Sequence, residues 1–202
     1  YYIGDSALAA VGAANPILNL LLSLFMGVAT GAGIVVAQYF GAKDRKMLSA
    51  SVGNILFLTI VTSVFVSVIG VVASRPFLDL LQTPDSIIDG ASAYLMIFMA
   101  GFLGCAFYNM GSGILRGLGD SVMPLIYLII CCGVNIVLDI AFVAGLRMGV
   151  AGASLATVIA QVISAVLCMV RLARMRDVLD VNLHLLRPDK SLCWRVIRIG
   201  MP

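Results

Sequence analysis

The sequence predicts an all-α protein, a polytopic bundle of membrane-spanning helices. Of its 202 residues, 61% are apolar and only 11% are charged, whereas soluble domains carry about 45–50% apolar and about 25% charged residues. The charges are also grouped, because none occurs within 6–42, 47–74, 90–115 or 148–170. Each of these stretches exceeds the roughly 20 residues that an α-helix needs to cross the hydrocarbon core of a bilayer.

The same composition excludes several classes of protein. An ordinary soluble domain, a disordered chain and a nucleic-acid-binding protein all need far more charge. A β-barrel is excluded because the apolar runs show no alternation of polar and apolar residues. The five cysteines lie mostly in apolar runs without metal-ligand spacing, which favours small apolar filler over a metal site or a disulfide framework.

Five membrane spans are predicted, at about 13–38, 51–74, 91–115, 122–146 and 149–171. A charged turn at 41–46 ends the first span, and Arg75-Pro76 ends the second. A capping sequence at 83–86 and a polar turn at 116–121 bound the third span. The link between the last two spans is so short that they form an antiparallel hairpin.

Basic residues fall almost entirely on one side of this arrangement. All but Arg75 and Arg147 of the 13 Lys and Arg residues lie in 41–46, 116–120 and 171–202. Because Lys and Arg concentrate in cytoplasmic loops, these segments are predicted to face the cytoplasm. The predicted location is the plasma (inner) membrane, crossed several times.

The chain changes character after the fifth span. Residues 172–190 mix charges with Leu and Val, which fits an amphipathic segment at the membrane surface or a polar linker equally well. Residues 191–202 place Arg195 and Arg198 beside Trp194. Basic and aromatic residues together are typical of the point where a further helix enters the membrane.

Asp139 is the clearest candidate for a functional residue, because it is ionisable and lies well inside a predicted span. Asn135 lies four residues earlier and therefore on the same helix face. An amide beside a carboxylate can hold a proton or coordinate a small cation through oxygen atoms. The alternative is that Asp139 only bonds a neighbouring helix, as polar side chains in lipid often do.

Several short sequences then occur in a fixed order: GDSALAAVG at 4–12, GAGIVVAQ at 31–38, RGLGDS at 116–121, NIVLD at 135–139 and GVAGASLAT at 149–157. This series resembles the multidrug and toxic compound extrusion (MATE) family of efflux transporters. The resemblance implies twelve helices in two six-helix lobes, with the first helix missing from this chain. Residues 1–171 would form the N-terminal lobe, 172–190 the cytoplasmic inter-lobe linker, and 191–202 the start of the first C-lobe helix.

The resemblance also implies a function, a secondary active transporter that exports drugs or organic cations in exchange for H⁺ or Na⁺ by alternating access. It implies an ion-binding site that includes Asn135, Asp139 and Thr157, with Na⁺ possible at Asp139, no other metal and no cofactor. Asn109 and Ser112 are possible neighbours of that site. The implied partners are small amphipathic or cationic substrates, the lipid bilayer, and the missing first helix and C-terminal lobe of the same chain, with no nucleic acid.

Three other functions are weighed against this one. A flippase for lipid-linked saccharides from the same superfamily is the main alternative, but the predicted spans contain no Lys or Arg to hold an anionic phosphate. An intramembrane enzyme would need a cluster of acidic, basic or nucleophilic groups, and Asp139 has no His beside it, so the prediction is not an enzyme. The third alternative is a purely structural membrane module, and the sequence does not exclude it.

Overall fold

The computed structural model describes residues 5–175 and 190–200, and every regular element in those ranges is helical. The seven α-helices are α1 (Asp5–Gly41), α2 (Arg45–Leu80), α3 (Asp85–Ala100), α4 (Phe102–Gly117), α5 (Val122–Asp139), α6 (Gly149–Arg174) and α7 (Lys190–Gly200). Four of the described helices are long and apolar enough to cross a membrane, or five spans if the bent pair α3 and α4 counts as one. The predicted all-α membrane bundle is confirmed.

One predicted helix end is wrong, and one predicted span is bent. The Arg75-Pro76 pair does not end the second span, because α2 continues through Pro76 to Leu80. The predicted span 91–115 is not one helix either, since α3 and α4 meet at Gly101 with a bend of 51°. A Cβ atom at Gly101 would collide with the side chain of Val158 on α6. The glycine therefore lets α6 pack directly into the bend.

The predicted span 122–146 is α-helical only as far as Asp139. Its last turn, Ile140–Gly145, is a π-helix, in which the Leu146 amide donates to the Ala141 carbonyl over 2.9 Å. The chain then reverses through residues with positive φ, 54° at Arg147 and 57° at Gly149. This wide turn connects α5 to the antiparallel α6.

The boundary between the predicted lobe and linker also shifts. The helix α6 continues to Arg174, beyond the predicted start of the linker at 172, because Leu172 is buried and Arg171 pairs with Asp120. The rest of the predicted linker, 176–189, lies outside the described residues. The helix α7 begins at Lys190, one residue before the predicted start, and the last two residues of 191–202 are not described.

The centre of the bundle is the contact between α1 and α4, where the two backbones touch. A Cβ atom at Gly33 of α1 would lie 2.9 Å from the Gly113 carbonyl oxygen of α4. Phe25 and Phe102 pack edge to face beside this contact, with ring centroids 4.8 Å apart. By contrast, Pro124 is the only buried residue that α5 contributes to the described structure. The helix with the candidate site therefore lies at the edge of the bundle.

Candidate ion-binding site

The antiparallel hairpin of α5 and α6 brings together Asn135 and Thr157, two of the predicted site residues. The Asn135 Nδ2 donates a hydrogen bond to the Thr157 Oγ1 over 3.3 Å. The Thr157 hydroxyl in turn donates to the Ala153 carbonyl one turn earlier, over 3.0 Å. One lone pair of the Thr157 hydroxyl therefore accepts from the Asn135 side-chain nitrogen, which leaves the Asn135 side-chain oxygen available to a ligand.

Asp139 lies one helical turn beyond Asn135, on the same face of α5. Its side chain is partly exposed, but the Oδ1 atom is buried and has no hydrogen-bond partner among the described residues. A buried carboxylate oxygen without a partner is energetically costly, because it has lost water and gained no donor in exchange. A proton or a cation at this oxygen would remove that cost.

The backbone changes from α-helical to π-helical immediately after Asp139. Single π-helical turns inside α-helices are rare and occur frequently at functional sites. The widened turn fixes Asp139 as the last residue of regular α-helix in α5. Its position at a local irregularity is a second, independent feature that marks this carboxylate.

Tyr94 lies on a third helix at the level of this site, and the sequence did not single it out as a site residue. It is buried on α3. The Ser154 hydroxyl of α6 donates to the Tyr94 backbone carbonyl over 2.8 Å, which fixes α3 against α6 at this level. The sequence feature that could have drawn attention to it is a tyrosine inside an apolar run, because a buried phenolic hydroxyl usually has a polar partner.

The two possible neighbours do not join this group within the described structure. The Asn109 Nδ2 donates to the carbonyl oxygen of Cys105 over 2.8 Å and to its sulfur over 3.4 Å, so both bonds stay within α4. Ser112 is buried on the same helix. Gln161 is closer to the site in sequence, one turn from Thr157, and its Oε1 is buried without a partner among the described residues.

The donor atoms available at the site are oxygens: a carboxylate, an amide carbonyl and a hydroxyl. This set suits a proton or a hard cation such as Na⁺, whereas transition metals favour imidazole and thiolate ligands. Within 5–175 and 190–200, no three His, Cys, Asp or Glu side chains come together in a way that could hold a metal ion.

Comparison with known proteins gives consistent matches over the chain. The MatE family profile matches residues 1–141. The probable multidrug resistance protein YoeA of Bacillus subtilis is 31% identical over 208 residues, which cover 100% of this chain and 45% of the relative. The chain therefore spans about half the length of the curated relatives that it matches.

Solved structures show the same likeness. An outward-facing structure of a multidrug resistance MATE transporter of the MOP superfamily matches with a TM-score of 0.91 and 28% identity, over 98% of this chain and 44% of that one. An inward-facing structure described in the same words matches with a TM-score of 0.90 and 28% identity, over 98% and 45%.

Proposed function

The chain belongs to the MatE family, and on that premise we propose that the protein is a secondary active efflux transporter. It exports amphipathic or cationic compounds in exchange for H⁺ or Na⁺. The observation that carries the proposal is the Asp139 carboxylate of α5, which has a buried oxygen without a partner among the described residues and lies one helical turn beyond the Asn135–Thr157 pair. The multidrug names of the curated relatives support the substrate class.

The coupling ion acts at Asp139 in this proposal. When H⁺ or Na⁺ binds, it neutralises the carboxylate and draws on the Asn135 amide oxygen and the Thr157 hydroxyl. Because those groups lie on α5 and α6, and Ser154 of α6 bonds the Tyr94 backbone of α3 at the same level, ion occupancy changes how three helices pack. A ligand that favours one packing shifts the population between two states, which is the requirement for coupling.

The lobe is proposed to rock as a rigid unit during alternating access. Support comes from the close match of this chain to both an inward-facing and an outward-facing relative. If the lobe itself changed fold between those states, one of the two matches would be much poorer. The rearrangement therefore belongs at the edges of the lobe.

The flippase alternative is not favoured. A carrier of anionic lipid phosphates needs basic side chains along its path, and 47–74, 90–115, 121–146 and 148–170 contain no Lys or Arg. The names of the curated relatives also refer to multidrug resistance or multidrug export.

The test is transport by the complete gene product with Asp139→Asn, measured as ethidium uptake into inside-out vesicles. Asparagine keeps the size and hydrogen bonding of the side chain but cannot hold the charge. Uptake driven by an imposed H⁺ or Na⁺ gradient should fall to the level of vesicles without the protein. Asp89→Asn is the matched control, because Asp89 is highly exposed and pairs only with the exposed Arg75 over 3.3 Å among the described residues.

Two further variants define the site. Asn135→Ala should reduce uptake less than Asp139→Asn, because it removes an orienting oxygen and leaves the charge. Asn109→Ala should leave uptake unchanged, because within the described residues the Asn109 amide bonds only to Cys105 of its own helix. Wild-type uptake by Asp139→Asn at equal protein level would refute the ion site and return Asp139 to a structural role.

A further inference from the structure

The helix α7 is docked on the ends of α1 and α2 that adjoin the charged turn 41–46. One nitrogen of the Arg195 guanidinium donates to the Gln38 Oε1 over 2.8 Å, and another donates to the Tyr39 hydroxyl over 3.1 Å. The guanidinium also lies over the Tyr39 ring, 5.7 Å from its centroid. Leu192 and Val196 are buried on either side of this arginine in sequence.

The part of α2 near this contact is polar although it is buried. Ser49, Ser51 and Asn54 are each less than 5% exposed. The Cys193 thiol of α7 donates to the Asn54 Oδ1 over 3.7 Å, and the Ser51 Oγ has no partner among the described residues. Hydroxyl and amide groups of this kind hydrogen-bond across helix contacts in membrane proteins. Water can replace the same bonds when the helices part, so these groups are compatible with a contact that opens.

We propose that α7 is a latch on the predicted cytoplasmic side of the lobe. Arg195 holds α7 on Gln38 and Tyr39 while that side is closed, and the contact releases when it opens. The proposal rests on the transport function proposed above, because only a cycle of opening and closing gives the latch a role.

The chemistry of the contact fits a reversible latch. The planar guanidinium donates to two acceptors at once while its charge lies 5.7 Å from the centre of the tyrosine ring, and an ammonium group does not have this fixed fork of donors. Arg195 and Gln38 are at the same time exposed to water, so the released groups are rehydrated at once. A contact of this kind is specific in geometry but can break in every cycle.

The native Cys193 provides a reporter for the test. All other cysteines of the complete gene product are replaced by serine or alanine, and inside-out vesicles are treated with a membrane-impermeant maleimide. Arg195→Gln should raise the rate of Cys193 labelling by about three- to tenfold, the range expected when a hydrogen-bonded contact is lost. Arg195→Lys should give an intermediate rate. Arg198→Gln, one turn further on an exposed position of α7, is the matched control and should leave the rate unchanged.

Ethidium transport by the same variants completes the test. A latch requires Arg195→Gln to slow transport or uncouple it from the ion gradient, while Arg198→Gln does neither. Equal labelling of Arg195→Gln and Arg198→Gln would overturn the proposal, and so would faster labelling with wild-type transport, which would make the contact static packing. Failure of the proposed transport function would appear separately, as no gradient-driven ethidium uptake by the wild-type protein, and would leave the labelling result standing.

Discussion

The contact between α1 and α4 leaves no room for a side chain at Gly113. A Cβ atom at this position would collide with the carbonyl oxygen of Ala29, which is backbone and cannot rotate away. We therefore expect Gly113→Ala to force α1 and α4 apart along their whole contact. Gly133→Ala on α5 is the matched control, because a Cβ atom there meets nothing within 4 Å.

The expected magnitude follows from the comparison of the two variants. Both gain the intrinsic preference of alanine over glycine in a helix, about 1 kcal/mol, so this contribution cancels in their difference. What is left is the overlap at Gly113, and inserting a methyl group into a well-packed contact costs about 1–3 kcal/mol. For a domain of this size, each kcal/mol lowers the unfolding midpoint by about 2–4 °C.

The assay is thermal stability in detergent. The complete gene product is heated for a fixed time at each temperature, and the fraction that is still monodisperse is measured by size-exclusion chromatography. A fixed heating time is needed because unfolding of this kind is irreversible and depends on rate. Gly113→Ala should lose half of its monodisperse fraction several degrees below Gly133→Ala. Equal midpoints, or a more stable Gly113→Ala, would show that the α1–α4 contact is looser than described.

Three further outcomes are expected. Asp120→Asn should lower the same thermal midpoint slightly, by an amount equivalent to about 1 kcal/mol. The reason is that the Asp120 Oδ2 accepts from the Arg171 Nη2 over 2.9 Å and from the Arg171 Nε over 3.0 Å. An unchanged midpoint would show that this ion pair does not contribute to stability. In intact cells, a membrane-impermeant maleimide added from outside should label the Arg75→Cys variant and not the Lys46→Cys variant. The reverse pattern would show that the predicted topology is inverted. Tyr94→Phe should raise the ion concentration for half-maximal transport while the protein level stays normal, and an unchanged ion dependence would remove Tyr94 from the site.

The sequence was sufficient to place the membrane helices but not their ends. Gaps between charges locate a span well, because a charge in hydrocarbon is costly whatever the neighbouring helices do. Helix ends depend on tertiary contacts as well. Pro76 predicts a stop, yet α2 continues past it to Leu80, with Leu78 fully buried in the core. At Gly101 the break in the third span depends on Val158, which is 57 positions away in the chain.

The candidate site also contains residues of two kinds: some can be predicted from the geometry of one helix, and others depend on how the helices pack. Asn135 and Asp139 are four residues apart on one helix, so their shared face follows from helix geometry alone. Thr157 entered only through the family resemblance, because its contact with Asn135 requires the antiparallel packing of α5 and α6. Tyr94 required a third helix, and the π-helical turn after Asp139 has no sequence signal that we can name.

The bundle contains two chemically different kinds of helix contact, and the difference bears on which of them moves. At the α1–α4 contact, the backbones of the two helices pack directly against each other at Gly33 and Gly113. The carbonyl groups there are already hydrogen-bonded within their own helices, so separating the helices loses the packing and gains no new hydrogen bonds. The contact of α7 combines the buried Leu192 and Val196 with hydrogen bonds from Arg195 to side-chain oxygens, and water can satisfy those polar groups when the helices part. A rocking lobe needs contacts of the first kind inside it and contacts of the second kind at its edge. If Gly113→Ala impaired stability and Arg195→Gln impaired transport alone, that division would be established by two independent measurements.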